Sequence, residues 1–178
     1  EKCDSVGQEC HLQIPKVSTP AKTATEFIDG ILLGISKYSI PETDDGLPGE
    51  GPIRRSDWFS KLWNEKRSQW AKDVEKDQGA LVFLGDSITQ GWGATLNQSF
   101  GKLKVANRGI SGDTTRGMLI RLQEDVLSLN PSGVAMLMGT NDLEEGAEAE
   151  SIAANVKSIV AELKTHNPKM PIVLCRVF

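Results

Sequence analysis

The sequence predicts an α/β protein, a three-layer α/β/α sandwich built on a parallel sheet. Two observations predict it. After Gly79, short continuous apolar runs alternate with longer stretches of helical periodicity, and strands buried on both faces show such unbroken apolar runs. Each run is also followed by a polar loop leading into the next element, as expected where a parallel strand hands over to a helix.

The elements follow in order. Ser56 to Lys76 is helical, with Trp58, Phe59, Leu62, Trp63, Trp70 and Val74 on one side at spacings of three, four or seven. Its three tryptophans either pack the helix onto the core or form a carbohydrate or lipid platform. The amphipathic stripe favours packing. Ala80 to Leu84 is a first strand, and Lys104 to Asn107 a shorter second one. Thr114 to Leu129 is a helix with Met118, Leu119, Leu122, Val126 and Leu129 on one face. Val134 to Met138 is a third strand, and Ala149 to Thr165 a helix carrying Ile152, Val156, Ile159, Val160 and Leu163. Pro171 to Val177 is a fourth strand, in which Cys175 reads as a small buried hydrophobe. The order is that of a flavodoxin-like sandwich.

Residues 1–54 differ in kind. They hold five of the eight prolines, and the tract from Pro41 to Pro52 is turn chemistry throughout. We expect a loop-rich N-terminal extension over 1–54 and one domain over 55–178. A short helix over Thr25 to Ser39 is weakened by Gly30 and Gly34, at about 1 kcal/mol each.

Composition removes several function classes. Of 178 residues, 39% are hydrophobic and 25% charged, with a net charge of -4. No basic stripe with interleaved aromatics exists, which argues against a nucleic-acid surface. No apolar stretch approaches the roughly 20 residues that span a bilayer. Neither metal-ligand spacing nor a Walker-type loop occurs, so no metal and no organic cofactor is implied. Cys3 and Cys10 are close enough to pair in an oxidising compartment, and the chain starts at Glu1. Both features lean towards a secreted or periplasmic location.

In open parallel α/β sheets, ligands bind beyond the carboxyl ends of the strands. Three loops lie there. They are Gly85-Asp86-Ser87-Ile88-Thr89-Gln90-Gly91-Trp92, then Asn107-Arg108-Gly109-Ile110-Ser111-Gly112-Asp113-Thr114, then Gly139-Thr140-Asn141-Asp142. Together they offer a hydroxyl at a helix entry, a glycine whose N–H can approach a substrate, and a neutral amide donor. Acyl transfer needs these parts, and an oxyanion donor is worth about 2.7–4 kcal/mol in the transition state.

With these three blocks, the sequence resembles the SGNH (GDSL-like) hydrolase superfamily over about Val82 to Val177. Within it, the chain is most similar to the intracellular platelet-activating-factor acetylhydrolase type and its bacterial relatives. The resemblance implies a serine esterase that hydrolyses carboxyl esters through an acyl-enzyme, with short acyl groups such as acetate. It implies Ser87 as nucleophile, with the N–H groups of Ser87 and Gly112 and the Asn141 side chain as oxyanion donors. The expected partner is a small-molecule ester whose alcohol is a sugar, a lysophospholipid or an aryl group. The alternative is a non-catalytic binding module of the same fold. A flavodoxin-like nucleotide binder is disfavoured, because no loop forms a phosphate cradle.

Neighbouring residues have their own expected roles. Asp86 orients its loop, and Trp92 either lines the pocket or packs beneath it. Arg108, Asp113 and Arg116 tie the second loop together through charge-assisted hydrogen bonds. Asp142 caps the helix that follows it. A serine hydroxyl also needs a base to take its proton. The resemblance implies an Asp-x-x-His pair beyond residue 178, so we expect the hydrolase domain as given to be incomplete and to lack its general base. The chain's two histidines are His11, in the extension, and His166. The latter ends a helix, projects from the opposite end of the sheet from Ser87 and is assigned to solvent.

Overall fold

A computed structural model describes residues 38–93 and 95–176. The helix expected over 25–39 lies, but for its last two residues, outside this range, as do Cys3, Cys10 and His11.

The first helix, α1 (Asp57–Asp77), buries Phe59, Trp63 and Arg67 at successive four-residue steps along one face. What it packs against is partly charged. The Trp63 ring lies 5.2 Å from the Arg67 guanidinium and 5.9 Å from that of Arg121. Trp70 lies 5.1 Å from Arg108 and 5.5 Å from Arg121. Indole faces attract such cations, the more so where water is excluded. Packing therefore accounts for Trp63 and Trp70, but Trp58 at the start of the helix remains 53% exposed.

The sheet contains β1 (Leu81–Gly85), β2 (Val105–Gly109), β3 (Gly133–Leu137) and β4 (Ile172–Leu174). Its order is β2-β1-β3-β4, with every pair parallel. Between β1 and β2 come the short helices α2 (Ser87–Gly91) and α3 (Thr95–Ser99). Between β2 and β3 come α4 (Thr115–Asp125) and a 3-10 turn, Leu127–Leu129. Between β3 and β4 come α5 (Thr140–Glu144) and α6 (Ala149–His166). Leu84 pairs with Arg108 on one side and Met136 on the other, so the three strands end level and present their loops together.

The two faces of the sheet are buried unequally. Val82, Leu84, Ala106, Val134 and Met136 form one core with Met118, Leu119 and Leu122 of α4 and Ile159 and Leu163 of α6. Burying each such aliphatic side chain contributes about 1.5–3 kcal/mol. On the opposite face, Leu81, Phe83, Ala135 and Leu137 are only half-buried. There Phe83 leans on Phe100, just after α3, at 4.9 Å between ring centroids. At the β4 edge Val173, Leu174 and Cys175 are exposed. The expected burial of Cys175 is thus corrected: no strand lies beyond β4 among the described residues.

A charged network sits beside the apolar core. Arg121 Nε is 2.8 Å from Asp113 Oδ2, and both side chains are fully buried. Arg67 Nε meets Asp125 at 2.9 Å, and Arg108 Nη2 meets Asp77 at 2.8 Å. Arg121 Nη2 also donates to the Arg108 carbonyl at 2.8 Å. This network explains how a buried position of β2 can be arginine. Where both partners are ionised, breaking one such buried pair costs about 3–5 kcal/mol, because the remaining charge stays buried without a partner.

The turn-rich tract before α1 is clasped onto this framework. Arg116 Nη1 donates to the Gly51 carbonyl at 2.7 Å and to Asp44 at 2.6 Å, and its Nε to the Pro48 carbonyl at 3.2 Å. Thr114 Oγ1 donates to the Pro52 carbonyl, and Asn155 exchanges hydrogen bonds with the Glu50 backbone. Arg116 therefore fastens the preceding segment to α4 and does not tie its own loop together.

Candidate active site

Close backbone packing shapes the first loop. At Gly85 a Cβ would stand 2.1 Å from Thr89 Oγ1 and 2.5 Å from the Leu137 carbonyl oxygen, so only glycine lets β1 turn so tightly into α2. Asp86 is the N-cap: its Oδ1 accepts from the Ile88 N–H at 3.0 Å, and the side chain is buried. Burial pushes its carboxyl above the usual range, against the Ile88 hydrogen bond. With Asp86 turned inward, Ser87 is the first residue of α2 and is exposed.

The second loop is stitched to the first. Asn107 Nδ2 donates to the Thr89 carbonyl at 2.7 Å, while its Oδ1 accepts from the Gly109 N–H at 2.9 Å. The Ser111 N–H donates to Gln90 Oε1 at 2.9 Å, and the Ile110 N–H to the Gly85 carbonyl at 3.1 Å. A Cβ on Gly109 would come within 2.3 Å of the Gln90 nitrogen. Gly112 adopts φ +87° and is buried beneath side chains of the preceding segment, with Trp58 and Arg54 Nη1 at 2.6 and 2.8 Å from where its Cβ would stand. Among the described residues nothing accepts from the Gly112 N–H.

The third loop is fixed to the second. Asn141, on α5, is buried, and its Nδ2 donates to the Asp113 carbonyl at 2.9 Å. Asp142 does not cap α5, whose N-cap is Gly139 without a side-chain bond. Both Asp142 oxygens instead accept from the Thr115 N–H, at 3.0 and 2.9 Å, and Oδ1 also accepts from Thr115 Oγ1 at 2.5 Å. Thr115 opens α4, so Asp142 satisfies an orphan donor of a helix 27 residues upstream. Burial pushes the Asp142 carboxyl up, with the bonds from Thr115 opposing. At Asp113, burial outweighs the attraction of Arg121 and the carboxyl is pushed up to about 7.

Ser87, Gly112 and Asn141 therefore stand on three bonded loops at the carboxyl ends of β1, β2 and β3. Arg108 and Asp113 bind inward, to Asp77, the Asp125 carbonyl and Arg121, and so anchor the second loop to α1 and α4 and do not tie it to itself. Trp92, 44% exposed, leans on Phe100 at 6.2 Å. A cavity of about 190 Å³ lies between α1 and α2, lined by Lys66, Trp70, Gln90, Gly93, Asn107 and Gly109. None of the three candidate residues lines it. His166 ends α6, which runs from the carboxyl end of β3 towards the amino end of β4, and is exposed at the opposite end of the sheet from Ser87. Among the described residues, no group of three metal-ligating side chains occurs, and no helix is long and apolar enough to cross a membrane.

Sequence reasoning missed Arg121 and Asp125, which pair with Asp113, Arg67 and each other from one helix. It also missed Arg54 and Trp58 over Gly112. Arg54 and Trp58 left no signal, since a flanking tract and a helix stripe say nothing of which loop they cover. Gln90 and Asn107 stood inside the quoted blocks, and their role as stitches follows only from the loops' adjacency.

The sequence matches the GDSL-like lipase/acylhydrolase family over residues 83–178. The chain belongs to that family. Among its relatives, platelet-activating factor acetylhydrolase IB subunit alpha2 of Rattus norvegicus is 30% identical over 115 residues, covering 63% of this chain and 49% of the relative. The alpha1 subunit of Homo sapiens is 29% identical over 119 residues, with the same two shares. The crystal structure of a GDSL-like lipase from Bacteroides thetaiotaomicron superposes with a TM-score of 0.53 at 30% identity, covering 61% of this chain and 56% of that one. The chain thus spans about half the length of the curated relatives it matches. The parallel sheet is consistent with this family, and membership of an acylhydrolase family does not favour the non-catalytic alternative.

Proposed function

We propose that this chain carries the nucleophile and the oxyanion donors of a serine esterase that cleaves carboxyl esters with short acyl groups. One observation supports it above others. Ser87 is exposed at the first position of a helix, directly after a buried strand, while the adjacent Asp86 is turned away to cap that helix. The short-acyl preference rests on relatives whose names describe acetylhydrolases.

In this reading, Ser87 Oγ attacks the ester carbonyl carbon. Its proton passes to a general base and from there to the departing alkoxide, leaving an acyl-serine and a free alcohol. Water then attacks the acyl-serine, giving its proton to the same base, and the carboxylic acid and the Ser87 hydroxyl are restored. The negative oxygen of each tetrahedral intermediate is held by the N–H groups of Ser87 and Gly112 and by the Asn141 amide. As the family resemblance implies, the base in this reading is a histidine outside the described residues; His166 ends α6 near the amino end of β4, at the opposite end of the sheet from Ser87.

The test is labelling of the full-length protein with a fluorophosphonate, followed by peptide mass spectrometry. Hydrolysis of p-nitrophenyl acetate is followed in parallel. The label is expected on Ser87, and Ser87→Ala is expected to lose both labelling and hydrolysis. A Ser87→Ala protein that kept most of the wild-type rate would overturn the assignment.

A further inference from the structure

The segment entering α1 passes over the candidate site at Gly112. Arg54 Nη1 and the rim of the Trp58 indole lie 2.8 and 2.6 Å from where a Gly112 Cβ would stand. Both side chains therefore border the residue assigned above as an oxyanion donor. The Arg54 guanidinium lies 5.6 Å from the indole centroid. It donates from Nε to Glu145 at 2.5 Å and from Nη2 to Glu144 at 2.7 Å, at the end of the helix that carries Asn141. Its Nη1 has no acceptor among the described residues. The Arg54 side chain is only 11% exposed, whereas Glu144 is 69% exposed and Trp58 53%.

We propose that Trp58, Arg54 and Glu144 form the subsite for the alcohol part of the ester, and that this part is a neutral sugar. The inference rests on the esterase reading above and names the substrate class that reading leaves open. Three features carry it. An exposed indole fixed against a guanidinium offers a rigid apolar face, which suits the C–H face of a sugar ring. Beside it stand the unbonded Nη1 amino group of the guanidinium and an exposed carboxylate, a donor and an acceptor for ring hydroxyls. One guanidinium against two carboxylates leaves the subsite net negative, which repels the phosphate of a phospholipid. An aryl or alkyl alcohol would cover these charged groups without bonding them, at a desolvation cost.

The experiment measures kcat/KM of the full-length protein on xylose tetraacetate, phenyl acetate and an acetylated glycerophospholipid. Wild type is compared with Trp58→Ala, Trp58→Phe and Glu144→Gln. The sugar ester is expected to be the best of the three substrates. Trp58→Ala should lower its kcat/KM about tenfold relative to phenyl acetate, chiefly through KM, and Trp58→Phe should restore most of it. Glu144→Gln should lower the sugar ester alone. In a Ser87→Ala background, xylotriose should change the tryptophan fluorescence, and adding Trp58→Ala should remove that change. If no ester is hydrolysed by any form, the esterase reading fails by itself and the fluorescence titration still decides the subsite. Preference for the phospholipid, equal losses on phenyl and sugar esters, or a fluorescence signal unmoved by xylotriose would overturn it.

Discussion

Gln90 Oε1 accepts a hydrogen bond from the Ser111 N–H at 2.9 Å, and this bond joins the helix that opens with Ser87 to the loop that holds Gly112. The two residues are 21 positions apart and meet because β1 and β2 are adjacent and end level. The backbone contact between Gly109 and Gln90 brings the partners together, and the side-chain bond then sets the spacing of the two loops.

Gln90→Ala leaves the Ser111 N–H without its acceptor and loosens that spacing. The expected outcome is a fall in kcat of roughly tenfold, the equivalent of about 1.4 kcal/mol, with little change in KM. Gln90→Glu keeps an acceptor oxygen and should retain most of the rate. Equal losses in both variants would mean that this bond does not position the loop.

In the proposed reading Asn141 has two duties, which shapes its expected phenotype. As an oxyanion donor its loss should lower kcat by about 10²–10³. Its amide also donates to the buried Asp113 carbonyl, so Asn141→Ala should cost a further 1–3 kcal/mol of stability, roughly the penalty for a stranded buried acceptor. Urea unfolding and steady-state kinetics on one preparation separate the two. Loss of stability with an unaltered kcat would leave Asn141 a purely structural residue.

Asp142→Ala tests the long-range cap. Its carboxylate is the acceptor for the first N–H of α4 and for the Thr115 hydroxyl. Removing it should cost about 1.5–3 kcal/mol, the range for hydrogen bonds to a charged group. The reciprocal Thr115→Ala should cost less, because the Thr115 N–H keeps its bond. A double-mutant cycle between the two measures their coupling; a coupling near zero would argue against the cap.

The sequence made the strand and helix pattern legible because its signals are local. Unbroken apolar runs located β1, β2 and β3 to within two residues, and the stripe at Trp63 and Trp70 located α1. The three loops were legible because parallel strands present their carboxyl-end loops together. What stayed hidden depends on pairs distant in sequence. Asp142 looks like a cap for its own helix until α4 is seen beside it. Arg116 looks like part of its loop until residues 44–52 are seen wrapped over it. Cys175 follows an apolar run, yet burial depends on what lies beyond β4, which the run itself does not specify.

The pH dependence of stability follows from four buried carboxyls. Asp113 is pushed up to about 7, burial outweighing the attraction of Arg121. Asp86, Asp125 and Asp142 are also raised, each chiefly by burial. A carboxyl whose pKa is higher folded than unfolded binds its proton more tightly in the folded protein. Its contribution to stability is complete below the unfolded value of 3.8 and is lost as pH climbs through the folded value. Asp44, held down by Arg55 and Arg116, works in the opposite sense, but only below the ordinary carboxylate range. For Asp113 that window lies between 3.8 and about 7, so stability should fall as pH rises from 5 towards 7, at up to about 1.4 kcal/mol per pH unit from this carboxyl. Above about pH 7 the share from Asp113 is spent and the slope should flatten. Urea midpoints at half-unit intervals from pH 5 to 8 measure this, with Asp113→Asn as the comparison, since asparagine cannot titrate. The variant should show a shallower slope than wild type over the same interval. A wild-type midpoint that rises between pH 5 and 7 would mean that Arg121 holds Asp113 ionised and that the pair acts as an ordinary buried salt bridge.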